Sequence, residues 1–197
     1  MLNRLRSKLV PFTSKLGIKL GSLGLSPTVW SLIGFAMSIA SAASFGSAII
    51  STSLPLVAIG SMLLLLSGFF DIVDGSVARS TNRLTKKGGF VDSILDKLGE
   101  IAVFIGISAG GLASPVLCLI AAAASIMVSY SRARAESLGI AVEGVGIGER
   151  AERLIVIAIA GFIPLQFSLE VGVIVVSILS IFTFLQRFRF IVGKLSD

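Results

Sequence analysis

Residues 20–70 and 101–131 carry no charged side chain, and residues 154–186 carry only Glu170. Each stretch exceeds one helical crossing of about 20 residues and, with the residues that adjoin it, is long enough for two. Each also has turn chemistry near its middle: Ser51-Thr52-Ser53-Leu54-Pro55, then Gly110-Gly111-Leu112-Ala113-Ser114-Pro115, then Pro164 through Gly172. The pattern predicts three helical hairpins, hence an all-α polytopic membrane protein of six transmembrane helices over 26–190, within one domain spanning 1–197. Pro27 after Ser26 suits the start of the first span, with serine as N-cap and proline in the first turn. The hairpins share polarity but no internal repeat, which argues against an inverted-repeat transporter. Ahead of them, Leu2, Leu5, Leu9, Phe12 and Leu16 recur at alternating steps of three and four. That spacing predicts an amphipathic juxtamembrane helix over 1–25, bent at Pro11 and lying in the membrane interface rather than forming a cleavable signal.

Composition agrees. Of the residues, 54% are hydrophobic and 14% charged, with mean hydropathy +0.97, whereas soluble domains average about 25% charged. A water-soluble globule of this size has too little interior to hide so much apolar surface. Sixteen of the seventeen cations fall before the first span, in the two connections between hairpins, or after the last span; Lys97 is the exception. The hairpin turns contain no Lys or Arg. By the positive-inside rule both termini and both long connections face the cytoplasm of a multi-pass cell-membrane protein. There is no histidine, and Cys118 is the single cysteine. Chemistry in this chain must therefore use carboxylates, hydroxyls, Lys and Arg.

Asp71, Asp74, Asp92, Asp96 and Glu100 lie inside segments that otherwise read as membrane-embedded. An ionised carboxylate there costs at least a few kcal/mol, which makes each a functional candidate. Asp71 and Asp74 are i and i+3 near the cytoplasmic end of the second span, while Asp92 and Asp96 are i and i+4 near the start of the third. The short connection predicts that these two helices are neighbours and that the aspartates converge. Such a cluster needs cations, and oxygen ligands without His or Cys favour Mg²⁺, Mn²⁺ or Ca²⁺. Two ions can clamp a phosphoryl group and activate an attacking hydroxyl. The competing reading has Lys97, Arg79 and Arg83 neutralising the acids as structural pairs, although buried ion pairs are poor stabilisers. Gly75 and Ala78 leave room for a ligand at the helix backbone, Arg79 can hold a phosphate with two bonds, and Gly88 and Gly89 open the turn into the next helix.

Together, Asp71-x-x-Asp74-Gly75-x-x-Ala78-Arg79, eight residues, Gly88-x-x-x-Asp92-x-x-x-Asp96 resembles the complete signature of the CDP-alcohol phosphotransferase family. The resemblance implies a six-helix membrane enzyme, usually a homodimer, with the signature on helices two and three. It implies that Asp71, Asp74, Asp92 and Asp96 contact two Mg²⁺ or Mn²⁺ ions and that Asp96 is the general base. It further implies that Gly75, Ala78, Arg79 and Gly88 bind a CDP-lipid, either CDP-diacylglycerol or CDP-archaeol. Thr28 and Ser31 stand near Pro27 where the family often has Asn and Thr, so Ser31 joins the CDP-lipid set.

Arg132, Arg134, Arg153 and Arg187 can converge at one cytoplasmic depth as an anion pocket, although ordinary positive-inside flanking also accounts for them. Ser129-Tyr130-Ser131-Arg132-Ala133-Arg134-Ala135-Glu136 and the later Gln186-Arg187 are similar to the branch that makes phosphatidylinositol phosphate, or its archaeal ether-lipid counterpart. That likeness implies an acceptor, inositol 1-phosphate, whose phosphate meets Ser129, Arg132, Arg134 and Arg187. Arg132 replaces the branch's Lys, and Ala151 its Pro. Glycerol 3-phosphate is the alternative acceptor. A cation transporter is the alternative of a different class, but acids do not continue beyond Asp71 and Glu100 toward the far side. Non-catalytic lipid binding leaves a base at Asp96 without a purpose.

Overall fold

The computed structural model describes residues 13, 15–51, 54–142, 144–165 and 167–195, and all regular structure among them is helical. A short α1 over 15–21 precedes α2 (Pro27–Ser51), α3 (Leu54–Ser80), α4 (Lys86–Ala109), α5 (Pro115–Ser137), α6 (Arg150–Phe162) and α7 (Ser168–Leu195). Local chemistry sets these bounds. Thr85 caps α4 by accepting the Gly88 N–H at 3.0 Å, and Ser114 caps α5 by accepting the Leu117 N–H at 3.2 Å, with Pro115 in the first turn. Each satisfies a backbone donor that a helix start otherwise leaves unpaired.

The three expected hairpins form as packed pairs: α2 on α3, α4 on α5, and α6 on α7. Among the described residues, four helices are long and apolar enough to cross a membrane: α2 over Pro27–Ala48, α3, α5 and α7. The predicted fifth span is shorter than expected. At 13 residues, α6 is about 20 Å long, against a hydrocarbon core of about 30 Å. The charge-free stretch after Arg153 looks longer, but Ile163 precedes Pro164 and sits in extended backbone, φ −80° and ψ 118°. A residue before proline is disfavoured in helical conformation, so the turn begins at Ile163, and Ser168–Gly172 already belongs to α7. Within the N-terminal amphipathic pattern, Leu2, Leu5, Leu9, Pro11 and Phe12 lie outside the described residues. Leu16 packs with Leu20 against Trp30, Val73 and Val77, so α1 docks on α2 and α3.

One expectation is corrected. The short connection over 81–85 does not place α3 against α4; instead α2 is the close neighbour of both. Asn82, in left-handed conformation at φ 53°, helps turn the chain there. Small residues let α2 and α4 meet closely, as in other membrane helix pairs. A Cβ built on Gly106 would lie 2.2 Å from the Ala42 carbonyl oxygen. Buried hydroxyls add bonds between helices: Ser41 to the Gly60 carbonyl at 2.7 Å, Ser38 with Ser67 at 2.6 Å, and Ser125 with Ser180 at 3.3 Å. Phe45, Leu64, Phe104, Ile107, Ile157 and Val173 fill the shared core, while Ile105, Val116, Leu119 and Ile178 remain exposed on outer faces. In water such exposure would invite aggregation; in a bilayer it is contact with solvent.

Gly106→Ala is expected to lower stability by about 1–3 kcal/mol, because backbone rather than a flexible side chain opposes the new methyl. Thermal unfolding in detergent checks this, with Gly193→Ala, whose added Cβ meets nothing within 4 Å, as the control.

Candidate metal centre

The C-terminal third of α3 supplies Asp71 and Asp74, the first half of α4 supplies Asp92 and Asp96, and the start of α2 supplies Ser31. One carboxylate oxygen from each of Asp71, Asp74 and Asp92 lies within 4.8 Å of the others. Asp74 is 5% exposed, and the Ser31 hydroxyl donates to its Oδ2 at 2.6 Å. That bond fixes the carboxylate's orientation and leaves its other oxygen for a ligand. With Asp96 and Arg150, these residues line one small cleft. Oxygen-only donors at this spacing suit a hard divalent cation and do not suit a thiolate or imidazole metal.

Asp96, expected as a fourth ligand, lines the same cleft but is outside the group of three whose oxygens meet within 4.8 Å. Its Oδ1 is 2.8 Å from Arg150 Nη1, and the same nitrogen is 3.0 Å from Asp71 Oδ1. Arg150 thus bridges α3 and α4 from the first residue of α6. Sequence reasoning counted it only as one more cytoplasmic cation. Its signal was depth: the first residue of a helix that starts at the same end of the bundle as the acids lies level with them.

Neutralisation by Lys97, Arg79 and Arg83 is seen only in part. Lys97 stands 3.8 Å from Glu100. Arg79 is exposed and lies over Gly75, where an added Cβ would meet its Nη1 at 3.2 Å. Glu100 pairs instead with Arg153, at 2.7 Å to Nε and 3.0 Å to Nη2, so it does not continue the stripe of aspartates. Ala78 is buried, and the Gly88 N–H is taken by the Thr85 cap.

The four-arginine pocket is also revised. Arg153 and Arg187 are each 2% exposed. Besides Glu100, Arg153 donates to the Gly148 carbonyl at 2.7 Å. Arg187 donates to the Val145 and Val128 carbonyls at 2.9 Å each and to Glu149 Oε1 at 3.3 Å. Both guanidinium groups brace the 138–149 connection against its neighbouring helices. Unpaired carbonyls and charges are costly away from water, and these arginines satisfy several at once. Arg132, paired with Glu136 at 2.8 Å, and Arg134, donating to Ser137 at 3.5 Å, lie toward solvent at the end of α5. Ser129 bonds back to the Ser125 carbonyl at 3.2 Å.

Residues 26–185 match the family model of the CDP-alcohol phosphatidyltransferases. The archaetidylinositol phosphate synthase of Methanothermobacter thermautotrophicus is 38% identical over 198 residues, covering 99% of this chain and 96% of the relative. That of Pyrococcus horikoshii is 36% identical over 187 residues, covering 95% and 94%. Among solved structures, Mycobacterium tuberculosis phosphatidylinositol phosphate synthase with CDP-DAG bound aligns at TM-score 0.76 and 27% identity, over 91% of this chain and 92% of that one. The form in complex with manganese and citrate aligns at TM-score 0.77 and 27% identity, over 94% and 92%.

Glu100→Gln leaves the Arg153 charge buried without its carboxylate. The expected loss is about 3–5 kcal/mol of stability, read as a lower unfolding midpoint in detergent.

Proposed function

The chain belongs to the CDP-alcohol phosphatidyltransferase family and is a transferase, and from that premise we propose that it moves a phosphatidyl-type group from a CDP-linked lipid to inositol 1-phosphate and releases CMP. The supporting observation is the meeting of carboxylate oxygens from Asp71, Asp74 and Asp92 within 4.8 Å of one another, with Asp96 nearby across Arg150. The names of the two archaeal relatives favour an archaetidyl donor, CDP-archaeol, over CDP-diacylglycerol.

In this reading Asp71, Asp74 and Asp92 hold Mg²⁺ or Mn²⁺, with Asp96 completing a two-ion site. Bound there, the ions stabilise charge on the diphosphate and make the acceptor hydroxyl more acidic. Ser31 holds Asp74 in position for its ligand. Asp96 takes the proton of the acceptor hydroxyl. The hydroxyl oxygen then bonds to the phosphorus nearer the lipid, the bond from that phosphorus to the bridging oxygen breaks, and CMP departs with the electron pair. Arg79, lying over Gly75, offsets charge on the leaving group, and Gly75, Ala78 and Gly88 form the nucleotide wall. Ser129, Arg132 and Arg134 receive the acceptor's phosphate. Arg153 and Arg187 back that wall, and direct contact from either requires it to exchange a partner it already has. Glycerol 3-phosphate presents the same phosphate and is the second acceptor to test.

We also place α4 and α6 with the four apolar helices as a six-helix bundle in one domain. Both termini and the site face the cytoplasm, which the distribution of cations supports. The working unit is a homodimer, by analogy with the family.

A transfer assay in membranes, with CDP-lipid and labelled inositol 1-phosphate, glycerol 3-phosphate or serine, tests the proposal. Product is expected from inositol 1-phosphate, with loss of turnover in EDTA. Asp96→Asn is expected to keep CDP-lipid binding and lose about 10²–10⁴-fold in turnover, the usual worth of a general base. Product from glycerol 3-phosphate alone would overturn the acceptor, and near-normal turnover of Asp96→Asn would remove the base.

A further inference from the structure

Arg150 Nη1 reaches two acids on two different helices, Asp71 Oδ1 at 3.0 Å and Asp96 Oδ1 at 2.8 Å. We propose that Arg150 is a positioning residue that competes with a divalent cation for the carboxylates of Asp71 and Asp96, so that loading the metal site and releasing Arg150 from both acids are one event. The inference rests on the metal-site reading given above.

The competition follows from charge and space. Four aspartates on one small cavity repel one another, and a guanidinium between α3 and α4 offsets that repulsion with one positive charge. A divalent ion offsets it with two and binds carboxylate oxygen at roughly 2.0–2.6 Å. An ion held by the same oxygens that bond Arg150 would sit against a like charge, so one occupant excludes the other.

The backbone around Arg150 is pinned, which confines the exchange to its side chain. Glu149 is held by Arg187 at 3.3 Å. Arg153, one turn on, is held by Glu100 and the Gly148 carbonyl. The Gly148 N–H in turn donates to Thr183 at 2.8 Å. The start of α6 therefore stays in place when the guanidinium swings away, and the side chain can return when the ion leaves. A ligand moves such an equilibrium only by its differential affinity for the two states. Removing the competitor must therefore tighten metal binding.

The test titrates purified full chain in lipid nanodiscs with Mn²⁺, counting free ion by its electron paramagnetic resonance signal. Unfolding midpoints are measured in EDTA and in Mn²⁺. Arg150→Gln is expected to bind Mn²⁺ about tenfold more tightly, a coupling of ordinary size between linked ligands. It should also unfold earlier than wild type in EDTA and recover more of its midpoint on adding Mn²⁺. Arg150→Lys retains a charge on a shorter reach and should tighten binding by a smaller factor; it carries the test alone if Arg150→Gln does not fold. Folded variants that bind Mn²⁺ no more tightly than wild type would overturn the competition and leave the metal site standing. A wild-type chain that binds no Mn²⁺ would overturn both.

Discussion

A carboxylate held at the edge of a low-dielectric layer must find a cation, and much of the end of this molecule that carries the acids answers to that demand. α3 and α4 bring five acids into one region, and α6 arrives with arginines spaced to meet them. Arg150 takes Asp71 and Asp96, and Arg153, three residues on, takes Glu100. The order continues outward, since Glu149 is paired with Arg187 on α7. Opposite charges therefore alternate from α4 through α6 to α7. Each pair alone is a weak stabiliser, because desolvation offsets most of its attraction. As a set the pairs have a different consequence: they fix which helix ends meet and at what depth.

This explains why α6 can be short. Its 13 residues begin at the site and end before Pro164. Its task at the end nearest the acids is to deliver two guanidinium groups in register, and the i, i+3 spacing of Arg150 and Arg153 does so. Its apolar face packs Ile157, Ala158 and Ala160 into the common core. The neighbouring helices are held differently, through small residues and hydroxyls that permit close backbone approach.

Much of this was legible in the chain. Runs without charge gave the hairpins, and the spacing of Asp71, Asp74, Asp92 and Asp96 gave the site and the family. Sequence gave depth better than direction. Positive-inside counting places a cation at the cytoplasmic end of a helix without saying whether its side chain turns outward, as at Arg132 and Arg134, or into the protein, as at Arg153 and Arg187. It also placed α3 beside α4, because a short connection normally joins neighbours. The role of α2 as the neighbour of both was hidden in Ser38, Ala42, Gly99 and Gly106, small residues that read as unremarkable until the helices are assembled.

The choice of arginine over lysine sharpens that distinction. A guanidinium can satisfy several acceptors in a fixed plane, whereas an ammonium is a compact and strongly hydrated charge. Arg153 divides its donors between both oxygens of Glu100 and a backbone carbonyl, and Arg187 divides its own among two carbonyls and a carboxylate. Lys97, half-buried on the same helix as Glu100, approaches that acid only to 3.8 Å. Residue type therefore carries information that net charge discards: an arginine near the membrane edge is the cation equipped to turn inward and bind backbone. By that criterion Arg150 belongs with the inward-facing group. Unlike Arg153 and Arg187, it bonds two carboxylates and, among the described residues, no carbonyl, so it is the arginine of the three whose partners a divalent ion can take without leaving a backbone oxygen unsatisfied.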